Sequence, residues 1–196
     1  MNKHTLVKLY RPILAAAGIA AIITDLFHGI TSIPGFSVVN YFSFFTILST
    51  LFTSIILLFV TFKKDVPLLR GGATLFMLIT GIIYFLLLRN EPIEIAWVNA
   101  VFHYILPAML LIDWLLNPPV SKISFSKAFL WLLFPALFFA YSLTRGFFSN
   151  WYPYPFMNVA EIGYAQTFIN AVFVGLGMAS LVLLVNAVHR LRLRMS

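Results

Sequence analysis

The chain has 196 residues, 61% hydrophobic and 10% charged, with 13 Lys and Arg against 6 Asp and Glu and no cysteine. A soluble domain carries roughly 25% charged residues, so a water-soluble fold is excluded, and disulfides, thiolate metal sites and a cysteine nucleophile are excluded with it. The formal charge of +7 would suit a nucleic acid, but its placement between apolar runs turns it into a signal of membrane orientation, and no nucleic-acid partner is expected.

At about 20 apolar residues per crossing, six runs are long enough to span: Pro12 to Ile30, Tyr41 to Phe62, Leu68 to Leu88, Ala96 to Leu116, Ala128 to Thr144 and Thr167 to Val188. Each is predicted as a helix, because an open strand cannot satisfy its backbone in lipid. Turn signals separate them at Ile33-Pro34-Gly35, Lys63-Lys64-Asp65, Asn90-Glu91-Pro92 and Asn117-Pro118-Pro119, followed by a long connection from Gly146 to Gln166. The expected fold is all-α: a polytopic bundle of six transmembrane helices forming a single integral membrane domain over residues 1–196.

Alternate loops divide the basic residues unequally. Lys3, Lys8, Arg11, Lys63, Lys64, Arg70, Lys122, Lys127, Arg190, Arg192 and Arg194 fall on one side, Arg89 and Arg145 on the other. By the positive-inside rule both termini are predicted to be cytoplasmic. Lys3, Lys8 and Arg11 ahead of Ala15-Ala16-Ala17 also resemble a signal peptide, but cleavage would leave five spans and put the ends on opposite sides, against the charge distribution. Trp97, Trp151, Tyr152 and Tyr154 are expected at the outer interface, and Trp114 and Trp131 toward the inner one.

Ionisable groups inside spans are costly and mark function by default. Asp25 and His28 lie in the last turns of span 1, on the outer side. Span 4 runs inward, so at 1.5 Å per residue His103 lies about 10 Å below the outer surface, and Thr46 on span 2 reaches nearly the same depth. Asp113 belongs to the inner end. Ser43, Thr46, Thr50, Thr53 and Ser54 recur at steps of three and four, which places them on one helix face. Such a stripe serves close helix packing in most settings, whereas Thr46 shares its level with a histidine.

The surroundings of His103 are specific. Asn99 is one turn above on the same face and can orient the ring or donate to a substrate oxygen. Pro107, four residues below, has no N–H to offer the His103 carbonyl, so a bent helix with a free carbonyl is predicted beside the imidazole.

Three chemistries suit these groups. His103 could act as general base to the Thr46 hydroxyl as it attacks an acyl carbonyl. His28 and His103 could ligate haem. Asp25, His28 and His103 could bind zinc, although His189, the remaining candidate ligand, lies at the cytoplasmic end. A lipid-binding or transport protein without catalysis is the alternative of a different class.

The segments Tyr41-Phe42-Ser43-Phe44-Phe45-Thr46, Trp97 through His103 and Pro107 to Asp113-Trp114-Leu115-Leu116, and Arg145-Gly146 with Trp151-Tyr152-Pro153-Tyr154-Pro155-Phe156 together resemble the bacterial six-span relatives of the androgen-induced-gene proteins. The likeness runs from span 2 to the start of span 6. Members of the animal branch are intramembrane threonine hydrolases that split fatty acid esters of hydroxy fatty acids. The resemblance implies Thr46 as nucleophile, His103 as base and an acyl-threonine intermediate released by water. Two features stand outside the motif: Thr50 follows Ser49 where the bacterial pattern carries asparagine, and Asp25 and His28 have no counterpart.

The expectation is thus an intramembrane hydrolase of fatty acyl esters, needing no metal and no cofactor, in a bacterial inner membrane with lipids as its partners. Asn99 or Ser43 is expected to supply an oxyanion donor, and Arg145 to meet a substrate carboxylate or a lipid phosphate. Tyr152, Pro153, Tyr154 and Pro155 form a stiff, amphipathic segment that either caps the site as a lid or, as the favoured reading, rests in the headgroups as a structural plug. His189, Arg190, Arg192 and Arg194 are expected against anionic headgroups.

Overall fold

The computed structural model describes residues 3–62 and 65–195, with side chains over 5–62 and 65–192. Lys63 and Lys64, and the side chains of Lys3 and Arg194, fall outside the described residues. Within them the chain is helical, without strands, and six helices are long and apolar enough to cross a membrane. They are α1 (Lys3–Ser32), α2 (Phe45–Phe62), α3 (Pro67–Leu88), α4 (Ala96–Leu116), α5 (Phe125–Ser149) and α6 (Val159–Met195).

Three boundaries extend beyond the apolar runs. Helix α1 begins well before Pro12 and runs through it, because polar contacts of Tyr10 and Arg11 hold the first turns against the bundle. Helix α5 takes in Phe125 to Lys127, capped by Ser124, whose Oγ accepts from the Lys127 N–H at 3.3 Å. Helix α6 starts at Val159, but Gly163, with φ 76° and ψ 164°, kinks it there, so the continuous segment begins near the expected Thr167.

Helix α1 lies along α2. Gly18 on α1 has no side chain, and Ser54, Thr50 and Leu106 of α4 stand 2.6, 3.2 and 3.3 Å from where a Cβ would lie. Thr50, Thr53 and Ser54 are fully buried, so most of the hydroxyl stripe serves this seam. On the other side of α2 an aromatic core forms from Phe45, Phe52, Phe76, Phe134 and Phe138, joining α2, α3 and α5. Trp131 donates from Nε1 to the Leu68 carbonyl at 2.8 Å and meets Trp114 edge to face.

The two ends of the bundle carry different polar chemistry. At one end Asp113 is buried between two arginines: Arg11 of α1 donates to its carboxylate from Nε at 3.1 Å and Nη2 at 2.9 Å, and Arg70 of α3 from Nη2 at 2.9 Å. Tyr10 also donates to Asp113, Asn117 donates to the same carboxylate at 3.3 Å, and Arg70 pairs a second time with Asp65 at 3.0 Å. Buried charges persist only when paired and hydrogen-bonded, and here one carboxylate ties α1, α3 and α4 together. Arg11 and Arg70 are therefore interior residues, 6% and 5% exposed, as well as carriers of the positive charge of that end.

His189 corrects one expectation. It is fully buried rather than at headgroups, its Nε2 lying 3.1 Å from the Ser121 carbonyl and its ring against Trp114. The reason is its place on the inner face of α6, where Val182 and Val185 pack into the same core. Arg190 stacks on Phe125 instead.

Candidate active site

At the other end of the bundle, α3 and α4 both depart from regular α-helix. In α4 the turn Val101–Ile105 is π-helical, the Leu106 N–H bonding the Val101 carbonyl five residues back, immediately before Pro107. Proline cannot bond the His103 carbonyl, and a widened turn accommodates the break. In α3 the turn Tyr84–Leu88 is π-helical as well. Gly81 of α3 sits against that freed carbonyl and Pro107, so close that a methyl group there would lie 3.0 Å from the His103 oxygen.

This irregular seam fixes the imidazole on two sides. The Tyr84 ring stacks on it, centroids 3.9 Å apart and planes 12° from parallel. Its Nδ1 lies 2.8 Å from Asn99 Oδ1. A neutral ring that donates from Nδ1 to an amide oxygen presents its lone pair at Nε2.

His103 lines a cavity of about 340 Å³ together with Thr46, Thr80, Tyr84, Tyr154 and Asn170, the rest of the wall being apolar residues of α2, α3, α5, α6 and the loop between α5 and α6. A second cavity, of about 380 Å³, shares Ile79, Ile83, Phe156, Asn170, Val174 and Met178 with the first. It extends between α3 and α6 to the exposed side chains of Leu86, Leu87 and Phe173, the surface that would meet acyl chains in a bilayer. The polar groups thus stand at the inner end of an apolar space that opens sideways.

Thr46 is the second residue of α2. The first N–H groups of a helix lack partners within it, and here the Thr46 N–H meets the Tyr154 hydroxyl oxygen at 3.4 Å. Ser49 Oγ lies 3.2 Å from the Thr46 carbonyl and 3.1 Å from Thr80 Oγ1, which fixes the turn behind it. Thr46 and His103 form no hydrogen bond to each other among the described residues; they face the same cavity.

The remaining expected residues lie elsewhere at this end. Ser43 donates to the Val39 carbonyl at 2.7 Å and meets the Tyr141 hydroxyl, outside the cavity lining. Asn99 reaches the site only through His103. Asp25 faces Tyr41 and His28, and His28 Nε2 lies 3.5 Å from Glu94; this group sits on the α1 flank. Among the described residues no three His, Asp or Glu side chains gather as a metal ion requires, so Asp25, His28 and His103 do not form a common ligand set. Arg145 donates to Asn40 Oδ1 and stacks on Trp151, its guanidinium carbon 4.5 Å from the ring centre, and so holds the loop that follows α5.

That loop forms part of the site wall. Tyr154, Phe156 and Met157 line the cavity, and Tyr154 is clamped by Phe44, Phe138 and Phe156. Burial pushes the Tyr154 phenol above its ordinary range, opposed by the Thr46 hydroxyl and the N–H groups of Thr46 and Phe45, so the phenol is protonated at neutral pH. Tyr84, Thr80 and Asn170 are not singled out for the site by the sequence, and Tyr154 enters it there only as part of a capping segment. Position along the helix carries a signal for two of them: Tyr84 and Thr80 stand about 6 and 12 Å from the Leu88 end of α3, bracketing the level of His103.

Comparison with protein-family models, with curated proteins and with solved structures finds no match for this chain.

Proposed function

We propose that the chain is an intramembrane lipid hydrolase that cleaves fatty acyl esters, such as fatty acid esters of hydroxy fatty acids, with Thr46 as nucleophile and His103 as base. The observation that carries this reading is the shared cavity: a hydroxyl and an imidazole with a free Nε2 border one apolar space that leads to the lipid-facing surface. The sequence resemblance to the androgen-induced-gene proteins supports the same pair. The distribution of basic residues supports cytoplasmic termini, which sets the cavity in the outer leaflet of what we take to be a bacterial inner membrane.

In this reading an ester enters between α3 and α6 with its carbonyl toward Thr46. The Thr46 hydroxyl attacks the carbonyl carbon as its proton passes to His103 Nε2, and the oxyanion collapses to expel the alcohol, which takes that proton. Water then repeats the sequence on the acyl-threonine and releases the acid. Tyr84 and Asn99 hold the imidazole for both steps.

The test is turnover in proteoliposomes of a fatty acyl ester of a hydroxy fatty acid. The wild-type chain is expected to release fatty acid, and Thr46→Ala and His103→Ala each to abolish release. A second reading, a lipid carrier without catalysis, is favoured by the missing Thr46 to His103 hydrogen bond and by the extent of apolar wall. Lipid that copurifies with the wild type and with His103→Ala alike, without turnover, would establish it.

A further inference from the structure

We infer that the Tyr154 hydroxyl is the donor that stabilises the negative charge formed on the ester carbonyl oxygen, an inference that rests on the Thr46 and His103 reading. It follows from where the donors at the cavity stand. Thr80 donates to the Phe76 carbonyl at 2.9 Å, and Asn170, on α6 away from Thr46, donates from Nδ2 to the Phe156 carbonyl and accepts at Oδ1 from Gln166. Tyr84 stacks its ring on His103, and its hydroxyl donates none of the hydrogen bonds formed among the described residues, but it stands beside the base and not beside the attacking Thr46. Ser43 and Asn99, the donors expected from sequence, are engaged elsewhere and do not line the cavity.

Tyr154 differs in standing against Thr46 itself. Its oxygen accepts the Thr46 N–H and lies beside the Thr46 hydroxyl, while its own O–H has no acceptor but that hydroxyl among the described residues. That proton is therefore available, beside the residue whose hydroxyl would attack. Accepting from the amino end of α2 also polarises the phenol and makes it a stronger donor. Three rings hold it in place: Phe156 stacked at 5.3 Å, and Phe44 and Phe138 at 5.7 and 6.3 Å. A donor fixed before the reaction gives most to the transition state, since nothing must reorganise as charge develops.

In the addition step the carbonyl π electrons move onto oxygen as the Thr46 oxygen bonds to carbon. The resulting oxyanion accepts the hydrogen bond from Tyr154 without taking its proton. On collapse the electrons return, the bond to the leaving oxygen breaks, and Tyr154 is unchanged. The tyrosine thus touches the reacting oxygen while His103 carries the proton.

The experiment is the rate of phosphonylation by an alkyl fluorophosphonate, whose P=O oxygen takes the place of the oxyanion, in the reconstituted full chain. Tyr154→Phe is expected to slow labelling of Thr46 by about 100-fold, as loss of one oxyanion donor does, and to lower kcat on esters with little change in KM. Tyr152→Phe, whose ring packs on Gly146 away from the cavity, is expected to label at the wild-type rate. Placing 3-fluorotyrosine at position 154 keeps the shape and acidifies the phenol, and should move the alkaline limb of the labelling profile to lower pH. Wild-type labelling rates in Tyr154→Phe, or an unmoved profile with 3-fluorotyrosine, overturn the inference while Thr46 and His103 stand. A wild-type chain that neither labels at Thr46 nor turns over esters removes the underlying reading and this inference together.

Discussion

His103 Nδ1 lies 2.8 Å from Asn99 Oδ1, four residues earlier on the same helix, so the amide selects which imidazole nitrogen faces the cavity. Asn99→Ala removes that selection and leaves only the Tyr84 stack to hold the ring. A typical net hydrogen bond is worth about 1 kcal/mol, and ester turnover is expected to fall by roughly fivefold with the fold intact. Asn99→Asp, which retains an acceptor, should lose less; equal turnover in Asn99→Ala and wild type would show that the amide does not set the tautomer.

Asp113 is the one carboxylate between Arg11 and Arg70, with Asp65 as the second partner of Arg70. Asp113→Ala leaves two guanidinium groups buried against one partly exposed carboxylate, and breaking a buried pair costs about 3–5 kcal/mol. The expected result is a large drop in melting temperature in detergent, followed by intrinsic tryptophan emission, for which the buried Trp114 is the residue next to the change. Asp65→Ala, at the exposed edge of the same network, is expected to shift melting far less.

Close approach of α1 and α2 depends on the missing side chain at Gly18, where a Cβ would meet Ser54, Thr50 and Leu106. At Gly177 a Cβ would meet nothing within 4 Å. Gly18→Leu is therefore expected to destabilise by several kcal/mol, in the range of severe overpacking, and Gly177→Leu to be tolerated. Thermal melts of the two variants in one detergent decide the matter.

Orientation can be read directly because the chain has no cysteine. Single cysteines at Val120, 90% exposed at the Asp113 end, and at Pro34, in the turn after α1 at the opposite end, give a clean pair. With cytoplasmic termini, a membrane-impermeant maleimide added to intact spheroplasts should label Pro34→Cys and spare Val120→Cys until the cells are opened. The reverse pattern would invert the bundle.

The six spans were legible because bilayer thickness imposes a length of apolar chain that neither helix caps nor tertiary packing can hide. The level shared by Thr46 and His103 followed from the same ruler, since rise per residue converts position into depth. What depth cannot supply is rotation about the helix axis. For that reason Asp25 and His28 were placed near the same level as His103, yet they join Tyr41 and Glu94 on the α1 flank. Counting basic residues by loops assigns Arg11 and Arg70 to one side but ignores their partners; the isolated Asp113 in a neighbouring span is the signal that a cation must come inward. His189 followed the same error in reverse, its position near the end of α6 masking its inward face. Tyr154 lies in a loop with no periodicity to read, and its contact with Thr46 arises only when the chain folds back from α5 to the start of α2.

In the proposed hydrolysis the reacting oxygen belongs to Thr46. After treatment of the reconstituted chain with an alkyl fluorophosphonate, peptide mass spectrometry should find the phosphonyl group on Thr46, with none in Thr46→Ala and strongly reduced labelling in His103→Ala. Modification at any other hydroxyl, or labelling undiminished in Thr46→Ala, would contradict the account.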